Sequence, residues 1–105
     1  MKKTKTKVIF RVFKDDGDVI AIFPQEAVNS NPHECSSYQH VGQHGACDPY
    51  GIIQVTRAAT PIEYKDLEEE LVRCGYDLLV IRRQRSYHIN RRRAIIKEWE
   101  ALAGK

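Results

Sequence analysis

The chain has little of what marks a membrane or secreted protein. No apolar run approaches the roughly 20 residues that a helix needs to span a bilayer, and the apolar stretch Val8–Phe13 is short and interrupted by Arg11. The 3 cysteines are an odd number, whereas small secreted domains usually carry an even disulfide set. These absences favour a cytoplasmic protein with reduced thiols and no membrane contact.

Signatures of common catalytic and nucleic-acid-binding modules are also missing. The sequence has no glycine-rich phosphate loop, no pair of cysteines two residues apart, no nucleophile-elbow motif and no recognisable helix-turn-helix or RNP-type motif. At 105 residues, of which 42% are hydrophobic, the chain matches one domain. We expect residues 1–105 to form that domain, with 1–6 as a disordered tail.

Charge is unevenly distributed along the chain. The net charge of +3 combines +6 in residues 1–14, −9 in residues 15–81 and +6 in residues 82–105. Such asymmetry can mark a surface that faces a polyanion. For the first seven residues, the simpler interpretation is that the lysines only solvate the end of the chain.

The first half of the chain predicts a β-hairpin. Two β-branched and aromatic runs, Lys7–Lys14 and Val19–Phe23, have the composition of strands. Asp16 and Gly17 lie between them, and Asp-Gly is a strong hairpin signal because glycine adopts positive φ without steric cost. Pro24 ends the second strand.

Residues 24–50 lack regular periodicity and predict a long irregular loop, with a possible short strand at Ser37–Val41. Ile52–Arg57 then reads as a further strand.

The second half predicts two helices. Thr60, Pro61 and Glu63 form an N-terminal capping signature, and Gly75 ends a helix that covers residues 61–74. Tyr76–Ile81 is apolar enough for a central strand. A second helix lies within residues 87–103, and its apolar stripe of Ile95, Ile96, Trp99 and Leu102 is expected to dock onto the sheet.

These elements give the order β-β-(β)-β-α-β-α. The sequence therefore predicts an α+β fold, with a mostly antiparallel sheet of three to four strands packed with one or two helices on one face.

Residues 33–48 hold three of the 4 histidines and two of the 3 cysteines. Four of them, Cys35, His40, His44 and Cys47, offer donors that suit tetrahedral zinc. Their spacing matches no common zinc module, and strand alternation at 37–41 would point Cys35 and His40 to opposite faces. A cysteine nucleophile with His40 or His44 as its base is a second hypothesis.

A third hypothesis for this segment is structural. Tyr38, His40, Gln43 and His44 can form a hydrogen-bonded network that pins the loop onto the sheet and presents it as a recognition feature.

A basic segment follows the last predicted strand. It contains Arg82, Arg83, Arg85, Arg91, Arg92 and Arg93, with Tyr87 among them. Arginine binds phosphates bidentately and an aromatic ring stacks on an unpaired base, so these six arginines are candidates for nucleic-acid binding. The alternative is a solvated helix face whose arginines pair with Glu68–Glu70, and exposed ion pairs of that kind contribute only about 0–1 kcal/mol each.

Four segments together resemble a set of small uncharacterised bacterial proteins, some of them associated with phages or other mobile elements. The resemblance covers about residues 8–81 and rests on Val19–Pro24, Ser37–His44, Ala59–Tyr64 and Cys74–Tyr76. That set has no known activity, so it transfers no site residue. It implies an accessory or interaction protein rather than a housekeeping enzyme.

The sequence thus predicts a non-enzymatic binding protein without a cofactor, whose partner is nucleic acid or another protein. The alternative is a small zinc-binding or thiol/histidine enzyme centred on residues 33–48.

Overall fold

The computed structural model describes residues 5–39 and 43–104. In these residues the elements are β1 (Thr6–Phe13), β2 (Val19–Phe23), β3 (Cys35–Gln39), β4 (Gln43–Cys47), α1 (Pro49–Val55), β5 (Thr56–Ala58), α2 (Pro61–Arg73), β6 (Leu78–Val80) and α3 (Ser86–Ala103). The six strands form one sheet in the order β4-β3-β2-β1-β5, and β6 pairs with β1. The α+β class is confirmed, with a larger sheet and one more helix than expected.

Strand β1 is the centre of the sheet. It pairs antiparallel with β2 along one edge, and along its other edge it pairs antiparallel with β5 and parallel with β6. The turn between β1 and β2 contains Gly17 at φ 77°, so the predicted Asp-Gly hairpin is confirmed. Val8, Ile9 and Phe10 are all buried, which shows that the sheet is covered on both faces rather than on one.

Helix α2 covers the first face of the sheet. Leu67 and Leu71 pack in one cluster with Val8, Phe10 and Tyr38. The helix begins with the expected capping box between Thr60 and Glu63 and is followed by Gly75 at φ 103°. This element is confirmed because its signals are local: each cap group satisfies a backbone donor within the first turn.

The irregular loop expected at residues 24–50 is confirmed for residues 24–34, which contain no helix or strand, and is wrong for β3 and β4. Its second half is an antiparallel hairpin in which Cys35 lies opposite Cys47 and Tyr38 lies opposite His44. Strand β3 pairs with the apolar strand β2. Backbone hydrogen bonds to β2 therefore keep polar residues such as Ser36 and Ser37 in a strand. Of the short strand expected at 37–41, residues 40 and 41 lie outside the described residues.

The strand expected at Ile52–Arg57 is wrong for residues 52–55 and confirmed for Thr56 and Arg57, which belong to β5. Residues 49–55 are helix α1, capped by the Asp48 side chain, which accepts from the backbone N–H of Tyr50. The Arg11 guanidinium donates to the carbonyls of Ile53 and Thr56 at 3.2 and 2.8 Å. A side chain that is distant in sequence therefore satisfies carbonyls at the end of this short helix.

Strand β6 is shorter and more peripheral than expected. It spans three residues beside the start of β1, and Leu79 is 42% exposed. The apolar run at 76–81 therefore does not form a central strand.

Helix α3 has the expected span but not the expected docking face. Its buried residues are His88, Arg92 and Ile96, spaced four apart on one side of the helix. Trp99 and Leu102 are 44% and 74% exposed, so the expected apolar stripe is buried mainly at Ile96. The helix lies on the second face of the sheet, where Lys7 contacts Tyr87.

Arg92 is a fixed point of this packing. It is 1% exposed; its Nε donates to the Pro32 carbonyl at 2.8 Å, and its Nη1 donates to the Pro24 carbonyl. Both acceptors belong to the connection between β2 and β3. A single guanidinium thus ties α3 to that connection across more than half of the chain.

No helix within residues 5–39 and 43–104 is both long enough and apolar enough to span a membrane.

We expect Arg92→Met to lower the free energy of unfolding by about 2–3 kcal/mol, because the aliphatic stem remains while buried carbonyls lose a charged donor. Urea denaturation measures this change. The neighbouring exposed residue gives a matched control: Arg91→Met should change stability by less than about 0.5 kcal/mol. Equal losses in both variants would contradict the buried role of Arg92.

Candidate functional site

Three of the six candidate arginines lie together between β6 and α3. Arg82, Arg83 and Arg85 are exposed and, with Ile81 and Tyr87, line a concave surface of about 370 Å³. The segment that carries them has no helical or strand backbone bonds of its own, so its shape depends on the elements at its two ends.

Tyr87 is the aromatic residue of this surface. Its side chain is 50% exposed, and one contact is with Lys7, whose Nζ lies 5.2 Å from the ring centroid and donates to the hydroxyl at 3.4 Å. Nothing in the sequence distinguishes Lys7 from the solvating lysines of the first seven residues. The sheet does so, because β1 places Lys7 beside the first turn of α3.

The arginines of α3 have three different environments. Arg91 is exposed one helical turn after Tyr87 and lines a depression with Lys7. Arg93 is also exposed but lies roughly 200° further around the helix. Arg92, which the sequence groups with the surface arginines, is buried, and we remove it from the candidate site. We call Lys7, Arg82, Arg83, Arg85, Tyr87 and Arg91 the basic patch.

His88 supports the patch from inside. It is fully buried, and its Nδ1 accepts the backbone N–H of Arg85 at 2.9 Å, which places its own hydrogen on Nε2. Its ring also meets the Tyr87 ring edge-on at 4.4 Å between centroids. Burial, and then the charges of Lys7, Arg92 and Arg85, lower the pKa of His88 below 6.5, so the imidazole is neutral at pH 7.

The expected recognition loop is the β3–β4 hairpin, and its side chains have unequal exposure. Tyr38 is 2% exposed and donates its hydroxyl to the Glu70 carboxylate on α2. His44 is exposed; its ring lies 4.6 Å from that of Tyr38, and its Nε2 is 3.3 Å from the Tyr76 hydroxyl. These contacts attach the hairpin to α2 and to the segment that follows it.

His40 lies outside the described residues, as does the side chain of Gln43, and their expected roles stay predictions. Glu70, an expected arginine partner, instead accepts from Tyr38.

Three of the four candidate zinc ligands, Cys35, His44 and Cys47, lie in the described residues, and they face opposite sides of the sheet. Cys35 and Cys47 face each other with 3.7 Å between the sulfur atoms and pack with Ile9, Ile20 and Ile22 on the second face. His44 contacts Tyr38, which belongs to the cluster of the first face. Within the two described ranges, no three His, Cys, Asp or Glu side chains are grouped as a metal site.

The third cysteine, Cys74, is exposed. It follows the last residue of α2 and lines a shallow depression with His44 and Tyr76.

Comparison with known proteins adds no assignment: no protein-family model, curated protein or solved structure matches this chain. The resemblance to phage-associated proteins stays a prediction.

We expect the free energy of unfolding to fall as the pH drops from about 7.5 through 6.5 to 5.5. The folded state holds His88 neutral, whereas the unfolded chain binds a proton near pH 6.5, so acid favours unfolding. Urea titrations at the three pH values measure this effect. His88→Gln should remove most of this slope, and His33→Gln, at an exposed site, should retain it. An unchanged slope in His88→Gln would contradict the assignment.

Proposed function

We propose that this protein is a non-enzymatic accessory protein that binds single-stranded nucleic acid through the basic patch. The observation that carries the proposal is the half-exposed ring of Tyr87, which contacts Lys7 of β1 and lines one concave surface with Arg82, Arg83 and Arg85. The proposal involves no cofactor and places the protein in the cytoplasm.

The chemistry of the patch suits this ligand. Arg82, Arg83 and Arg85 carry planar guanidinium groups that donate two parallel hydrogen bonds to a phosphate. An aromatic ring with a free edge and face stacks on unpaired bases of any sequence, and each stacked base contributes about 1–3 kcal/mol. Phosphate-binding guanidinium groups and a stacking ring thus line the same concavity, which has a volume of about 370 Å³.

A single strand fits the arrangement better than a duplex. A helix that reads duplex DNA presents several side chains from one exposed face to the major groove. In α3 the three consecutive arginines diverge: Arg91 and Arg93 lie on different sides of the helix, and Arg92 is buried. The cations of the patch instead lie beside the ring of Tyr87. This arrangement favours a single strand, whose backbone is flexible and whose bases are free to stack.

Neutralising three patch arginines tests the electrostatic part. We expect the combined variant Arg82→Gln, Arg83→Gln and Arg85→Gln to bind a fluorescent oligothymidylate more weakly. The slope of log K against log salt should fall by about 2, because each lost phosphate contact on a single strand releases about 0.7 counterions fewer. Fluorescence anisotropy at several salt concentrations measures both quantities.

The matched control removes the same charge elsewhere. Lys14, Lys65 and Arg73 are exposed and lie outside the patch, and their combined change to Gln lowers the net charge by the same amount. That variant should keep the salt slope of the parent protein within about 0.5. An equal loss in both variants would mean that net charge, rather than the patch, attracts the ligand. No binding by the parent protein at low salt would refute the proposal.

Replacing the ring tests the stacking part. We expect Tyr87→Leu to weaken binding to single-stranded DNA about tenfold with an unchanged salt slope, because it removes one stacked base and no charge. Tyr87→Phe should retain most of the affinity. The same oligonucleotide annealed to its complement provides the comparison. If Tyr87→Leu weakens duplex binding equally, the proposed stacking on an unpaired base is wrong.

A further inference from the structure

The sheet holds two cysteines directly opposite each other at its edge. Cys35 on β3 and Cys47 on β4 are register partners, and β4 is the last strand on that side. Their sulfur atoms are 3.7 Å apart, whereas a disulfide requires about 2.05 Å. Residues directly opposite each other in an antiparallel pair have Cα atoms about 4.5–5.5 Å apart, which lies within the range that a disulfide spans. Rotation of the two side chains can therefore bring the sulfur atoms to bonding distance without a change of strand register.

The two thiols differ in accessibility. Cys35 is fully buried beneath the sheet's second face, while Cys47 is partly exposed. A reagent in solution therefore reaches Cys47 first, and Cys35 can react only with what is attached to its neighbour.

The two thiols also differ in acidity. The two sulfur atoms share a hydrogen bond. With the Cys35 thiol as its donor, this bond lowers the pKa of Cys47 and raises that of Cys35. A hydrogen bond from Ser37 and the charge of Arg92 also lower the pKa of Cys47, while burial and the charge of Asp48 raise it. The attacking form of a thiol is the thiolate, so the more accessible cysteine is also the more reactive one.

Arg92 adds an independent observation. Its guanidinium is 1% exposed, and its Nη2 has no hydrogen-bond partner among the described residues. A buried cation with an unused donor favours negative charge nearby, and its influence reaches both sulfur atoms.

We propose that Cys35 and Cys47 form a reversible dithiol–disulfide site, in which Cys47 reacts with a small-molecule disulfide and Cys35 resolves the adduct. This inference does not depend on nucleic-acid binding.

The exchange is balanced without any other reagent. The Cys47 thiolate attacks one sulfur of a low-molecular-weight disulfide, whose S–S bond breaks and releases one thiolate. The Cys35 thiol then gives up its proton, and its sulfur attacks Cys47, releasing the second small thiol. Two protein thiols are oxidised to one disulfide, and one small disulfide is reduced to two thiols that take up the two protons.

The test uses the full chain with Cys74→Ser, because Cys74 is exposed and would react independently. The folded protein is incubated with oxidised glutathione, quenched with acid and analysed by mass spectrometry and peptide mapping. We expect a mass decrease of two hydrogen atoms and a cross-linked peptide that joins Cys35 to Cys47. Circular dichroism before and after the reaction checks that the protein remains folded.

Two further variants in the same background test the order of attack. With Cys35→Ser, a stable glutathione adduct should accumulate on Cys47, since nothing resolves it. With Cys47→Ser, the buried Cys35 should react at least about tenfold more slowly.

The proposal is overturned if the folded Cys74→Ser protein keeps two free thiols in excess oxidised glutathione. It is also overturned if the protein stops at the Cys47 adduct, or forms the disulfide only in urea. All of these outcomes are measured on the Cys74→Ser protein, so they do not depend on whether the Cys35→Ser or Cys47→Ser variant folds. If the Cys47→Ser variant reacts with oxidised glutathione as fast as the Cys35→Ser variant, the proposed order of attack is wrong, although the disulfide site itself is not.

Discussion

The buried guanidinium of Arg92 is the contact on which the second face of the molecule depends. It draws the middle of α3 onto the connection between β2 and β3 through two proline carbonyls. A proline has no N–H of its own to offer the backbone, but its carbonyl is an ordinary acceptor. By holding α3 in place, Arg92 also sets where the first turn of that helix begins, and with it the position of Tyr87 and the arginines before it.

The basic patch and the cysteine pair are thereby parts of one packing arrangement. His88 lies one turn before Arg92 and accepts from the backbone of Arg85, so the arginine segment is attached to the core through an imidazole. On the other side, the charge of Arg92 acts on the sulfur atoms of Cys35 and Cys47. The polar contacts between α3 and the sheet therefore hold the basic patch at one end and the Cys35–Cys47 pair at the other.

The sequence predictions are accurate where an element depends on residues close to one another in the chain, and they fail where it depends on a distant partner. The hairpin at Gly17 and helix α2 depend on groups within a few residues of each other, and both are confirmed. Helix α1 also has local signals in Asp48 and Pro49, but its apolar, β-branched run of Ile52, Ile53 and Val55 has the composition of a strand and therefore predicts one. The β3–β4 hairpin has polar strands whose formation depends on pairing with β2, a partner distant in sequence.

The sequence by itself determined the α+β class, the first hairpin, the ends of α2 and the span of α3, because caps, turns and periodicity act over a few residues. Only the tertiary structure decided which of three consecutive arginines is buried, that Lys7 joins the patch, and that Cys35 faces Cys47 while His44 lies on the opposite face. These are properties of register and of the docking angle of a helix. A shift of one residue along a strand, or of 100° around a helix, would exchange the buried and exposed side chains.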